Sequence, residues 1–101
     1  MTESTPFNWQ EALDQNMPEL MKQIGPIRQE TGSDGALPAK TKTLMMMLGD
    51  ALLGHADGVA NIARGARAAG VSEEEIKETV AIAFMMGGLP VLITASNAFR
   101  K

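Results

Sequence analysis

Two runs of residues constrain this chain most, because each has the length of a helix and neither leaves a polar side. Leu44-Met45-Met46-Met47-Leu48, continued by Ala51-Leu52-Leu53, is apolar almost all the way round a helix. So is the run that holds Ile76, Val80, Ile82, Ala83, Phe84, Met85 and Met86. A surface helix needs only one apolar stripe, so helices of this kind are covered on several faces. At about 1.5 Å per residue the first run is too short to cross a bilayer core of about 30 Å, and protein has to cover it. A domain this small buries only about 65% of the surface its unfolded chain exposes. One copy therefore lacks the interior for two such helices, and the sequence predicts self-association through contiguous apolar surface.

The rest of the composition narrows function mainly by exclusion. Hydrophobic residues make up 45% and charged residues 21% of the 101 residues, the mix of a folded domain and not of a disordered segment. Eight Met supply adaptable apolar volume where aromatic residues are few. A net charge of −3 with scattered Lys and Arg gives no electrostatic reason to approach nucleic acid or anionic lipid. The start, Met-Thr-Glu-Ser-Thr-Pro, lacks the basic and apolar stretches of a secretory signal, so the expected location is cytoplasmic with no membrane partner. Cysteine is absent, which removes disulfides, thiolate nucleophiles and sulfur metal ligands together. A single His without a second nitrogen or sulfur ligand makes no transition-metal site, and no cofactor is expected.

Hydrophobic spacing and Gly/Pro punctuation predict an all-α, antiparallel bundle of about five helices, read as one domain over residues 1–101. A first helix is expected from Asn8 to Ile24, kinked at Pro18 and stopped by Gly25-Pro26, with an apolar face from Trp9, Leu13, Met17, Leu20, Met21 and Ile24. The polar and small residues from Gln29 to Gly35 suggest a surface loop inside the domain. Pro38 suits the first turn of a second helix reaching Leu53, and a third runs from about Asp57 to Ala69 before Gly70. Ser72-Glu73-Glu74-Glu75 has the spacing of a capping box and opens a fourth helix that reaches Gly87-Gly88. That pattern accounts for the three Glu without a cation site. Pro90 then opens a fifth helix, ending near Arg100.

Ala66-Arg67-Ala68-Ala69-Gly70-Val71-Ser72-Glu73-Glu74-Glu75-Ile76, joined at fixed spacing to Gly87-Gly88-Leu89-Pro90, resembles the carboxymuconolactone decarboxylase and alkylhydroperoxidase D family. The resemblance extends over about residues 37–99. It implies an antiparallel helical fold assembled as a homotrimer or homohexamer, in agreement with the burial argument. Redox members of that family carry a Cys-x-x-Cys pair and a His four residues after the second Cys. Anchored on Gly70, those positions fall at His55, Gly58 and Ile62, and the upstream acidic residue falls near Thr43. None matches, so thiol peroxidase chemistry is closed to this chain. Decarboxylase members keep that His and add a second after the Gly-x-Pro turn. Here Ile62 and approximately Thr94 stand in those places, and neither moves a proton as imidazole does.

His55 is the sole imidazole and sits between the second and third helices. It can serve as a general base, with Asp50 or Asp57 as orienting carboxylate, or simply as a capping residue at a helix end. Since the Gly-Gly-Leu-Pro turn borders the active cavity in the resembled family, a small pocket among Leu89, His55 and the second helix is expected. Met47, Asp50, Gly58 and Ile62 are its further candidate residues. Met45-Met46-Met47 and Met85-Met86 line either such a pocket or, more simply, core and subunit contacts. Arg64 and Arg67, three apart, face either a carboxylate or phosphate or only solvent. Gly87-Gly88-Leu89-Pro90 lacks the Lys and Ser/Thr of a phosphate loop. Three functions remain open: a non-redox oligomer binding a small apolar or carboxylated molecule, a residual lyase acting on a lactone or ring carboxylate with His55 as acid-base, and a purely structural oligomer.

Overall fold

A computed structural model describes residues 7–101, which fall into two compact units, one up to Ser33 and the other from Asp34 to Lys101. The segment examined for a secretory signal, residues 1–6, lies outside the described residues. Among the described residues there is no strand, as the all-α expectation requires. The division falls between Ser33 and Asp34, within the segment expected to be a loop inside one domain.

The first unit contains α1 (Trp9–Asn16) and α2 (Pro18–Gly32). Asn8 caps α1 as expected, its side-chain oxygen accepting from the Glu11 amide at 3.1 Å. The single helix expected from Asn8 to Ile24 is instead two. Pro18 starts a new helix at a position whose missing N–H costs nothing, after Met17 leaves helical geometry at φ −136 and ψ 57. Gly25-Pro26 does not stop α2, which continues through residues 29–32, expected to be loop. Pro26 removes only the bond to the carbonyl of Lys22, and Lys22 is exposed, so water can take that bond. Arg28 lies over the Trp9 ring, 5.5 Å from its centroid. Neither helix buries a residue.

The second unit contains α3 (Ala39–Leu52), α4 (Ala56–Ala68), α5 (Glu73–Ala95) and a final 3-10 turn (Ser96–Phe99). Helix α3 packs against both α4 and α5, and the 3-10 turn lies on α4. Pro38 stands just outside α3, and Asp34 accepts the first helical amide, that of Ala39, at 2.7 Å. Ala60, Ala63 and Ala66 on α4 are fully buried, so that α4 approaches its neighbours closely. Ile76, Val59 and Met47 fill the space around them. The capping box forms in full: Glu75 N–H donates to Ser72 Oγ at 3.1 Å, and Ser72 N–H donates to the Glu75 carboxylate at 2.8 Å.

The two helices expected on either side of Gly87-Gly88 are present as the two arms of α5, separated by a kink. Gly88 has φ 76 and ψ −165, a backbone that essentially only glycine adopts, and Pro90 lies two residues beyond. The apolar excess of α3 and α5 stays visible on the surface: Met45, Met46, Ile82, Phe84, Met85, Met86, Leu89 and Ile93 are all exposed. By length and composition the 27 residues Glu73–Phe99 are sufficient to cross a membrane, a test that packed core helices also pass. Here the run is broken at Gly88, and its Ile76, Val80, Ala83 and Ala95 lie in the core.

Candidate functional site at the α3–α4 junction

The end of α3 decides where His55 sits. Gly54, with φ 79, turns the chain out of the helix, and its N–H donates to the Ala51 carbonyl at 3.3 Å. The N–H of His55 donates to the Asp50 carbonyl at 2.8 Å, completing the six-residue closure of a glycine-terminated helix. His55 is in turn the residue from which α4 starts. Backbone geometry therefore brings residues 50 and 55 together before any side chain is considered.

Their side chains follow. His55 Nδ1 lies 3.0 Å from Asp50 Oδ1, with the Asp50 side chain mostly covered (23% exposed) and the imidazole largely open (58%). The Asp50 carboxylate also rests over Gly58 in the first turn of α4. A Cβ built on Gly58 would stand 2.8 Å from the carboxylate carbon and closer still to one oxygen. Negative charge is favourable at that helix start. Asp57, the other carboxylate considered for His55, is engaged elsewhere, accepting from Arg100 Nη2 at 3.0 Å.

Of the other pocket candidates, Met47 is 2% exposed and belongs to the core. Ile62 is half-buried and packs against the same cluster. Leu89 lies just past the kink and is 60% exposed. Thr43, at the position of the family acid, donates its hydroxyl to the Ala39 carbonyl, and Thr94 donates to the Pro90 carbonyl. The structure thus joins His55, Asp50 and Gly58, and gives the rest separate roles. Arg64 and Arg67 do not act together: Arg64 donates to Asn61, while Arg67 forms a two-point ion pair with Glu73. That pair holds the Glu73 carboxyl below its ordinary range and raises the Arg67 guanidinium, in both cases chiefly through the hydrogen bond they share. Glu75 is likewise held low, first by the Ser72 amide and then by the Lys40 ammonium at 3.0 Å.

Two concavities on the second unit lie away from His55 and Leu89. One, of about 430 Å³, lies among Arg67, Glu73, Phe99 and Arg100. The other, of about 240 Å³, is an apolar cleft between α3 and α5 walled by Thr41, Leu44, Met45, Leu48, Thr79 and Ile82. Sequence reasoning missed this cleft, although Thr41, Leu44, Met45 and Leu48 have the three-and-four spacing of one helix face. No group of three or more metal-ligating side chains occurs among the described residues.

A cysteine-free bundle with a histidine–aspartate pair at the turn between two core helices is the class of protein that fold and site define. The sequence profile of the carboxymuconolactone decarboxylase family matches residues 18–101, and the chain belongs to that family. No curated protein and no solved structure matches it. The match begins at the first residue of α2, well before the stretch at residue 37 where the resemblance was legible.

Proposed function

We propose that this chain is a non-redox member of its family, a homo-oligomer that takes a small apolar or carboxylated molecule beside His55. The carrying observation is the contact of His55 Nδ1 with Asp50 at 3.0 Å, with the rest of the ring open to solvent. The pair occupies the place where the family resemblance puts the first thiol. An imidazole held on one side and free on the other can accept a hydrogen bond from a ligand or donate one to a carboxylate. Exposed apolar residues on α3 and α5 are the material from which neighbouring copies would close a pocket over it.

The same contact favours a second reading, a lyase in which His55 moves a proton on a lactone or ring carboxylate, since an aspartate-held imidazole is a common general base. One set of measurements separates the two. Thermal-shift and NMR titration of the wild-type chain with a panel of small lactones and carboxylates is expected to give saturable binding. His55→Ala should weaken it about tenfold, the loss of one charge-assisted hydrogen bond. Turnover of a panel member that vanishes in His55→Ala would establish the lyase. Absence of any saturable binding in the wild type would leave only the structural oligomer.

A further inference from the structure

The geometry points to His55 Nε2 as the proton-accepting atom of this site, with Asp50 and Gly58 as the positioning residues that make it so. The inference deepens the proposed function and rests on His55 being where the ligand meets the protein. An ionised carboxylate has only acceptor positions, so the 3.0 Å contact between Asp50 Oδ1 and His55 Nδ1 requires the proton on Nδ1. In the neutral ring the other nitrogen, Nε2, then carries the free lone pair. A neutral imidazole in water favours the opposite form, with Nε2 protonated. The carboxylate therefore selects a tautomer that the residue would not adopt alone, and turns the basic nitrogen toward the open side of the ring.

Gly58 is what allows the carboxylate to stand there. Any Cβ at that position would overlap the Asp50 carboxyl group where it now stands against His55. A methyl there therefore displaces the carboxylate from the position in which it meets Nδ1, while the backbone bond from His55 to the Asp50 carbonyl stays in place. The resemblance places the second family thiol at residue 58. Glycine at that position therefore not only lacks sulfur but clears the space from which Asp50 orients the imidazole. Side chain at 58 and histidine–aspartate contact are alternatives at one site.

Because His55 is the only imidazole in the chain, its two ring nitrogens can be read directly by long-range nitrogen–proton NMR of the 101-residue chain at a pH where the ring is neutral. The wild type is expected to show Nδ1 protonated and Nε2 bare. Gly58→Ala and Asp50→Ala should each move the tautomer ratio toward Nε2–H by about tenfold, the change that one hydrogen bond to a charged partner supports. Gly49→Ala, on α3 beside Asp50 but with nothing within 4 Å of its new methyl, should leave it unchanged. If Gly58→Ala does not fold, Asp50→Ala carries the test. Nε2 protonated in the wild type, or a ratio indifferent to both variants, would overturn the positioning role. Ligand titrations on the same samples report independently: a wild type with Nδ1 protonated and no saturable binding would refute the ligand site and leave the positioning role standing.

Discussion

Glu75 shows how much a single side chain does in this small bundle. It closes the start of α5 by accepting from the Ser72 amide and reaches across to Lys40 on α3, so it ties a helix start to a neighbouring helix. Both contacts favour the ionised carboxylate, and they hold its pKa below the ordinary range. A group whose folded-state pKa is depressed contributes stability above its unfolded pKa and loses it as pH falls through the folded value. Glu73, held low by Arg67, acts with the same sign. Melting temperatures of the wild type and Glu75→Gln should therefore differ near neutrality, with the variant lower, and converge as pH drops below roughly 4, where the unfolded carboxylate protonates. Differential scanning calorimetry across that range checks it, and a gap that widens on acidification would contradict the ion-pair account. Ser72→Ala, which removes only the hydroxyl acceptor, should cost about 1 kcal/mol with little pH dependence.

At the scale of the helix, two glycines make opposite predictions. Gly88 adopts φ 76 and ψ −165 at the kink of α5, so Gly88→Ala should destabilise by about 1–3 kcal/mol or force the helix straight. Gly65 lies in the regular interior of α4, exposed and with nothing within 4 Å of an added methyl, so Gly65→Ala should stabilise by roughly 0.5–1 kcal/mol. Urea midpoints of the two variants against the wild type provide the measurement, and a shift of the same sign in both would refute the contrast. The kink itself was legible, because Gly-Gly followed by Pro has few other meanings, and so was the capping box at Ser72. The first unit was not. Pro18 and Gly25-Pro26 carry similar local signals, yet one begins a helix and the other lies inside one, since an exposed carbonyl can turn to water and no local rule ranks the two. The site was half legible: the sole His marked the α3–α4 turn, but of the two candidate carboxylates Asp57 is the nearer in sequence and Asp50 the one in contact. Choosing Asp50 required the backbone closure from residue 55 to residue 50, and the space over Gly58 is a property of packing alone.

Across the whole molecule, the surface left by one copy is not one that water tolerates well. Met85 is 76% exposed and Leu89 60%, on a helix whose other face is already committed to the core, and Met45 and Met46 leave α3 in the same condition. An interface of ordinary size buries about 800 Å² on each partner, and closed rings repeat the same contact at every junction. We therefore expect the wild-type chain to self-associate at micromolar concentration with the end of α5 covered, as the trimer or hexamer that the family resemblance implies. Met85→Glu and Leu89→Glu place a charge into that contact once per copy, so the penalty multiplies with the number of junctions and should split the assembly, while the isolated fold keeps its core and its helical circular dichroism. Gln23→Glu adds the same charge at an exposed polar position of α2 and should change nothing. Sedimentation or multi-angle light scattering reads all four proteins. A monomeric wild type would refute assembly outright, and an oligomer that Met85→Glu and Leu89→Glu leave intact would show that the end of α5 remains in solvent and that another face holds the copies together.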